Sequence, residues 1–323
     1  MKFPQKRPRR LRLNKTMRHW VREHSISPVD LVLPIFVKEG LSKKKAILSM
    51  PGVYQHTANS ALREAQEAYD LGISAVILFG IPKHKDAQAS GAHQANAVIQ
   101  KLTTKLKKSL PDLLVICDVC LCEYASHGHC GHMTAKGIVD NDSTLKTLSK
   151  IALSLARSGA DIVAPSDMMD GRISHIRQTL DKYKFPNTAI LSYAVKHASA
   201  FYGPFRDAAE NAPQKGDRKT YQMDPANARE AIVEARMDEE EGADFILVKP
   251  GLPCLDLIKN VRENVSCPVG AYSVSGEYAM IKAAAQNGWL NEKEATLESL
   301  IAFKRAGSDF IIHYGAKQIA AWL

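Results

Sequence analysis

A chain of 323 residues with 45% hydrophobic and 24% charged residues has the make-up of a globular protein with material for a sizeable core. No stretch approaches the ~20 consecutive apolar residues of a membrane span, and no apolar run follows the basic N-terminus, which argues against an anchor or secretory signal and makes the cytoplasm the expected compartment. The net charge of +9 invites a nucleic-acid reading, but it is local: Lys2, Lys6, Arg7, Arg9, Arg10, Arg12, Lys15, Arg18 and Arg22 account for the whole excess, with no acidic residue among the first 22 positions.

Residues 1–24 therefore read as a basic arm, and residues 25–323 as the body. Two prolines and little apolar surface keep the arm from packing on itself, which leaves a disordered tail, a nucleic-acid contact or a strap over a neighbouring subunit. Leu11, Leu13, Met17, Trp20 and Val21 favour the strap, because apolar residues inside a basic arm suit protein contact better than phosphate tracking.

Beyond the arm, one unit recurs: an apolar or β-branched run, a polar turn, then a segment with helical spacing. The runs are Leu31–Val37, Ile73–Gly80, Leu113–Val119, Ala160–Ser166, Ala189–Ala194, Ala243–Pro250, Pro268–Val274 and Asp309–Gly315. Helices are predicted over Ser60–Leu71, Ala92–Lys108, Ser143–Ser158, Met169–Tyr183, Pro225–Glu241, Cys254–Asn264, Glu277–Gln286 and Glu292–Ala306. Eight alternating units predict an α/β fold, a (β/α)8 TIM barrel with an extended N-terminal arm. Gly159, Gly242 and Gly307 each stand where a helix should stop and a strand begin.

Two stretches interrupt this rhythm. Residues 197–223 form a long interval rich in Gly, Pro, aromatic and basic residues, and Phe201, Tyr202, Phe205 and Tyr221 predict a lid packed over something. Cys117–His132 holds four of the six cysteines, with Cys120, Cys122 and Cys130 spaced as C-x-C-x7-C. Buried inert thiols would be one reading, but a glycine- and histidine-rich loop is poor ground for a core, so a metal is favoured over a disulfide or a packing role. Three thiolates with no obvious fourth ligand match a zinc ion that keeps a position open for chemistry.

Active sites of such barrels sit at the C-terminal ends of the strands, which makes Asp118, Ser166, Lys196, Lys249, Tyr272, Ser275 and Tyr314 candidates. Lys249 closes the apolar strand Phe245–Val248, where burial and a second ammonium would lower its pKa and free the amine to form a Schiff base; a barrel-end lysine paired with Asp118 is the alternative. Lys196 alone reads as a solvated strand end, but beside Lys249 and a metal loop it points to carbonyl chemistry at two centres. The lid cations Arg206, Lys215, Arg218 and Lys219 suit a substrate carboxylate, Arg best for bidentate contact, although any one of them alone reads as loop charge.

These residues sit in motifs that closely resemble the 5-aminolevulinate dehydratase (porphobilinogen synthase) family, in its bacterial, cysteine-zinc form. They are Cys120-Leu121-Cys122 with Ser126-His127-Gly128-His129-Cys130-Gly131, Ala164–Arg172, Phe201–Asp207, Gly216-Asp217-Arg218-Lys219, Val248-Lys249-Pro250-Gly251 and Val274-Ser275-Gly276-Glu277. The likeness runs from about Arg7 to the C-terminus. It implies a lyase of haem and other tetrapyrrole biosynthesis that condenses two 5-aminolevulinate molecules into porphobilinogen with loss of two waters.

By the same resemblance, Lys249 and Lys196 carry the propionate-side and acetate-side substrates as Schiff bases, Asp118 is an active-site carboxylate, and Cys120, Cys122 and Cys130 bind catalytic Zn2+. Ser166 lines the pocket and Tyr202, Phe205 and Tyr272 wall it. Arg206, Arg218 and Gln222 surround the acetate-side carboxylate, whereas Ser275 and Tyr314 bind the propionate-side one. Glu234 matches a site for allosteric Mg2+ between subunits, and the arm is implied to wrap a neighbour in a homo-octamer. Two other readings remain: an aldolase-like lyase using Lys249 alone, which leaves the thiol cluster unexplained, and a nucleic-acid binder using the arm, which a neutral body does not favour.

Overall fold

The computed structural model describes residues 6–323. Lys2 of the arm lies outside them. Eight strands form the centre: β1 (Leu31–Lys38), β2 (Ala75–Ile81), β3 (Leu114–Val119), β4 (Ile162–Pro165), β5 (Ala189–Lys196), β6 (Phe245–Lys249), β7 (Val269–Ser273) and β8 (Phe310–His313). Each pairs in parallel with the next, and β1 also pairs with β8 through Leu31 opposite Ile311 and Val32 opposite Ile312. Closure leaves no free edge in this ring, and a closed parallel ring of eight strands with crossover helices is a (β/α)8 barrel.

The strands read as near-continuous apolar runs because both of their faces are covered. Val32 and Phe36 of β1 meet Ile77, Phe79, Ile116, Ala164, Leu191, Tyr193, Leu247, Tyr272 and Ile312 inside the barrel. Leu31, Leu33, Ile35 and Val37 of the same strand belong to the outer layer, with Ala61, Ala65 and Ala68 of the helix Ala58–Asp70. Side chains standing on opposite faces of one strand thus build two cores.

The crossover helices begin where the chain supplies caps. Thr57, Asp140 and Asn291 accept from the third backbone N–H of the helices Ala58–Asp70, Asn141–Arg157 and Glu292–Ala306. Gly159, Gly242 and Gly307 take φ of 94°, 106° and 108° after three of the helices, a left-handed conformation that side chains resist.

Some helix starts differ from expectation. The helix predicted from Ala92 starts at Val98, behind a separate 3-10 turn Ser90–His93, because Gln94 and Ala97 are extended. The one predicted from Met169 starts at Arg172, since Gly171 has φ 76°. The helix predicted from Pro225 starts at Arg229. Short helices at Gly203–Ala209 and Ala316–Ala320 were not anticipated.

The 197–223 segment covers the C-terminal mouth of the barrel. Its two ends lie side by side, with Met223 N donating to Lys196 O (3.1 Å) and Ala198 N to Met223 O (2.8 Å). Phe205 packs its ring 5.6 Å from Phe36 and 5.3 Å from Phe79, and Gln55 Nε2 donates to Ala208 O at 2.9 Å. At the other end of the chain, the arm forms a 3-10 turn, Pro8–Arg12, and a short helix, Lys15–Trp20, with none of their residues buried; Trp20 is 79% exposed. No helix among the described residues is long and apolar enough to cross a membrane.

Candidate active site

Lys196 and Lys249 stand opposite each other in the β5–β6 ladder, Cα partner to Cα partner, at the mouth under the lid. Register along this pair is irregular: Ile246 is matched with Ser192, but Val248 with Val195. On β5, Leu191 and Tyr193 face the barrel interior whereas Ala194 and Val195 both face the outer layer. One extra residue is accommodated there, so Lys196 regains the interior side, where Lys249 waits.

Burial of the two side chains is nearly complete. Lys249 Nζ lies 4.3 Å from the ring centre of Tyr272, 4.8 Å from Phe205, and 5.2 Å from both Tyr193 and Tyr202. Loss of hydration, then the neighbouring Lys196 ammonium, lowers its pKa from 10.5 to about 7, against the pull of Asp118 and Glu123. Its amine is therefore available unprotonated near neutral pH. Tyr202 OH steadies the same residue by donating to Lys249 O at 3.1 Å. Lys196 Nζ donates to Ser166 O.

Asp118 stands between the lysines and the thiol loop. Burial and the charge of Glu123 push its carboxyl up, opposed by the Ser166 hydroxyl and both lysines, and its Oδ1 has no hydrogen-bond partner. Orphaned buried polar atoms are uncommon, and Asp118 Oδ1, Tyr193 OH and Arg218 Nε are among those of this chain. Such groups suit ligand atoms.

Cys120, Cys122 and Cys130 come together as the spacing predicts. Their sulfurs lie within 4.8 Å of one another, Cys120 Sγ and Cys122 Sγ are 3.2 Å apart, and all three are free, buried thiols. Asp118, Cys120 and Glu123 form an overlapping group at similar distances. Cys117 is excluded from the cluster by its place on the outer face of β3, where its thiol meets Thr103 Oγ1 at 3.3 Å.

The remaining predicted residues do not all meet in one place. Cys122, Ser166, Lys196, Tyr202, Phe205, Arg206, Arg218 and Lys249 line one narrow cavity of about 20 Å³, together with Phe79 and Glu123. The Arg206 guanidinium is pushed down by burial and by the adjacent Arg218 cation, a like-charge pair suited to an anion. Tyr272 OH meets Tyr314 OH at 3.0 Å, and Ser275 Oγ accepts from Phe205 N (2.9 Å) and donates to Phe201 O (3.2 Å), which links it to the lid. Gln222 and Glu234 instead line a separate cavity of about 400 Å³ outside the lid, with Asp170, Glu230 and Lys219. Burial and Asp238 raise the Glu234 carboxyl to about 7. Lys215 and Lys219 are exposed.

Sequence reasoning passed over four further residues. Glu123 is buried against Cys122 Sγ (3.2 Å), and Asn211 Nδ2 bridges both groups. Arg172 is fully buried, 2.8 Å from Asp238 and 3.8 Å from Asp167, behind the Ser166 loop. Glu277 accepts from Gly251 N (2.9 Å) and Leu252 N (3.0 Å), so it fixes the turn that follows Lys249. Arg172 and Glu277 do lie within the quoted motifs, but a charged residue alone says nothing of whom it meets.

Comparison with known proteins agrees with this geometry. Residues 5–322 match the family model described as delta-aminolevulinic acid dehydratase. Proteins of that name from Synechocystis sp. and Bacillus subtilis are 53% and 52% identical to the chain, over 99% and 98% of both partners respectively. A crystal structure of delta-aminolevulinic acid dehydratase (porphobilinogen synthase) from Toxoplasma gondii, in complex with the reaction product porphobilinogen, superposes with a TM-score of 0.97 at 45% identity, covering 99% of this chain and 92% of that one. The chain belongs to the delta-aminolevulinic acid dehydratase family, enzymes that condense 5-aminolevulinate to porphobilinogen.

Proposed function

We propose that the chain carries out this condensation through imines at Lys249 and Lys196. The observation behind the reading is the pair of buried, opposed lysines, one with its amine near half-neutral at pH 7 inside a box of four aromatic rings. A neutral Lys249 amine adds to the ketone carbon of the propionate-side substrate; the carbinolamine then takes a proton on the former carbonyl oxygen, which leaves as water, and a protonated imine remains. Lys196, once it has given up its proton, holds the acetate-side substrate as a second imine. With both ketones tethered in one pocket, carbon–carbon and carbon–nitrogen bond formation become effectively unimolecular.

The other side chains bind, orient and move protons. Asp118, with one oxygen unpaired and a carboxyl raised by burial, suits taking up and returning protons beside both amines. Arg206 and Arg218, which line the lysine cavity, hold the acetate-side carboxylate, and Ser275 and Tyr314 the propionate-side one; Gln222, which faces the other cavity, is left out of this set. Ser166 fixes Lys196, and Tyr202, Phe205 and Tyr272 keep water from the imines. A cavity of about 20 Å³ holds about one water, so the lid must open to admit substrate.

Cys120, Cys122 and Cys130 would hold Zn2+: three free thiols within 4.8 Å of one another suit a soft divalent cation with one open position. When bound, zinc supplies a Lewis acid for a substrate oxygen or a docking point for an amino group. Glu234, in its acidic cavity, is read as the ligand of an allosteric Mg2+. The exposed apolar residues of the arm suit its wrapping a neighbour in a homo-octamer that works in the cytoplasm. Borohydride reduction of the enzyme mixed with 5-aminolevulinate tests the core of this reading. Peptide mapping should find the label on Lys249, and on Lys196 if both imines form; no label on either would refute it.

A further inference from the structure

The loop carrying the thiols and the lid covering the lysines are joined along one seam. Asn211 Nδ2 donates to Cys122 Sγ (3.2 Å) and to Glu123 Oε1 (3.1 Å). Arg218 Nη2 donates to Gly128 O (3.0 Å) and to Asn211 O (2.8 Å), and Gln214 N to His127 O (3.1 Å). The His129 ring meets Lys215 O at 2.8 Å through Nε2 and Tyr221 OH at 3.1 Å through Nδ1, while Cys130 N donates to the same hydroxyl at 3.4 Å. Gly128, at φ 72°, approaches so closely that a Cβ there would lie 2.4 Å from Ala212 O. Neither segment can move far without the other.

Within this seam, Tyr221 packs against the three cysteines, and Asn211 Nδ2 hydrogen-bonds the sulfur of a proposed metal ligand. That donor comes from the second residue past the lid helix Gly203–Ala209, and Asn211 is 1% exposed. The amide orientation is set by its surroundings: reversing it would press its carbonyl oxygen against the sulfur and the Glu123 carboxylate, whereas as placed both acceptors are served and Oδ1 is left without a partner.

We propose that Asn211 is a positioning residue that couples metal binding at Cys122 to closure of the lid, an inference that rests on the zinc reading given above. An N–H on a metal-bound thiolate makes a charge-assisted hydrogen bond, stronger than the same contact to a neutral thiol. Metal therefore tightens the latch that holds the lid end, and a closed lid keeps the Asn211 amide donor on both the thiolate and the adjacent Glu123 carboxylate. By linkage the two effects are equal, so whatever opens the lid loosens the metal by the same factor. Contacts of this kind around a metal ligand typically change affinity by about 10–100-fold.

Two measurements on the full-length protein test this. Zinc affinity is read by competition with a chromogenic chelator, and lid closure by hydrogen exchange of residues 203–223 with and without zinc. Asn211→Ala removes the latch, and Asn211→Asp keeps the size and the backbone contact with Arg218 while replacing the donor with a carboxylate. In the wild type, removing zinc should raise exchange across the lid. In both variants zinc should bind about 10–100-fold more weakly, with the larger loss for Asp, and lid exchange should no longer respond to zinc. Wild-type lid exchange that ignores zinc, variant affinities within about twofold of wild type, or a zinc response that persists in the variants would each overturn the coupling alone. A wild type that binds no zinc through its thiols would overturn the metal reading and the coupling with it.

Discussion

Replacing Lys249 with methionine should abolish activity and at the same time stabilise the protein. Its pKa falls from the ordinary 10.5 to about 7 in the folded chain. At about 1.36 kcal/mol per pKa unit, protonation there is disfavoured by on the order of 5 kcal/mol. The folded state binds this proton less tightly than the unfolded one, so between pH 7 and 10.5 the unfolded chain carries a proton that the folded chain lacks, and stability rises with pH across that window. The penalty is full below about pH 7 and shrinks to about 2 kcal/mol by pH 9. Methionine matches the lysine stem in length, carries no charge and keeps the contacts with Tyr272, Phe205, Tyr193 and Tyr202. Water entry beneath the lid trims the figure, so a gain of about 2–4 kcal/mol at pH 6 is the expected size, falling as pH rises. Denaturant unfolding at pH 6 and pH 9, at matched subunit concentration because association also stabilises, measures it. A variant no more stable than wild type at pH 6, or one whose gain is the same at both pH values, would show that the amine is not held near neutrality by burial.

Replacing Cys122 with alanine should strip zinc from the protein, measured by elemental analysis after dialysis, together with nearly all porphobilinogen formation. A metal-free but fully active variant would instead favour a lyase that relies on Lys249 alone. Magnesium should stimulate the wild type more than Glu234→Ala in a colorimetric porphobilinogen assay, and equal responses would remove Glu234 from the scheme. Deleting residues 1–12 should shift the assembly below an octamer in analytical ultracentrifugation; intact octamers would refute the strap, and loss of salt-sensitive nucleic-acid retention in their place would support the competing reading of the arm.

The barrel was legible in the sequence because parallel strands covered on both faces leave long apolar runs, and all eight runs became strands. Local signals sufficed wherever a cap or glycine set a boundary, and failed where the backbone decided it: Ala92 to Ala97 have helical composition, yet Gln94 and Ala97 are extended. The thiol cluster and the lysines were visible as types out of place, thiols in a glycine-rich loop and an ammonium closing an apolar strand. Their partners were not visible. Glu123, Arg172, Asn211 and Glu277 matter through neighbours dozens of residues away, for instance Asn211 against Cys122 or Arg172 against Asp238, and no local spacing encodes such a meeting.

Lys196 shows most clearly where local pattern stops. Strict alternation from Leu191 and Tyr193, which face the interior, would send Val195 inward and Lys196 out among the crossover helices. In that position its ammonium could neither depress the Lys249 amine nor reach a shared substrate, and the site would hold a single working lysine. The irregularity at Ala194 and Val195, both turned to the outer layer, reverses the phase and brings Lys196 level with Lys249. An extra residue in a strand is a known means of re-aiming a side chain beside an active site. The proposed two-lysine chemistry therefore rests on one step of register in β5, supplied by Ala194 and Val195, whose own side chains face away from the pocket.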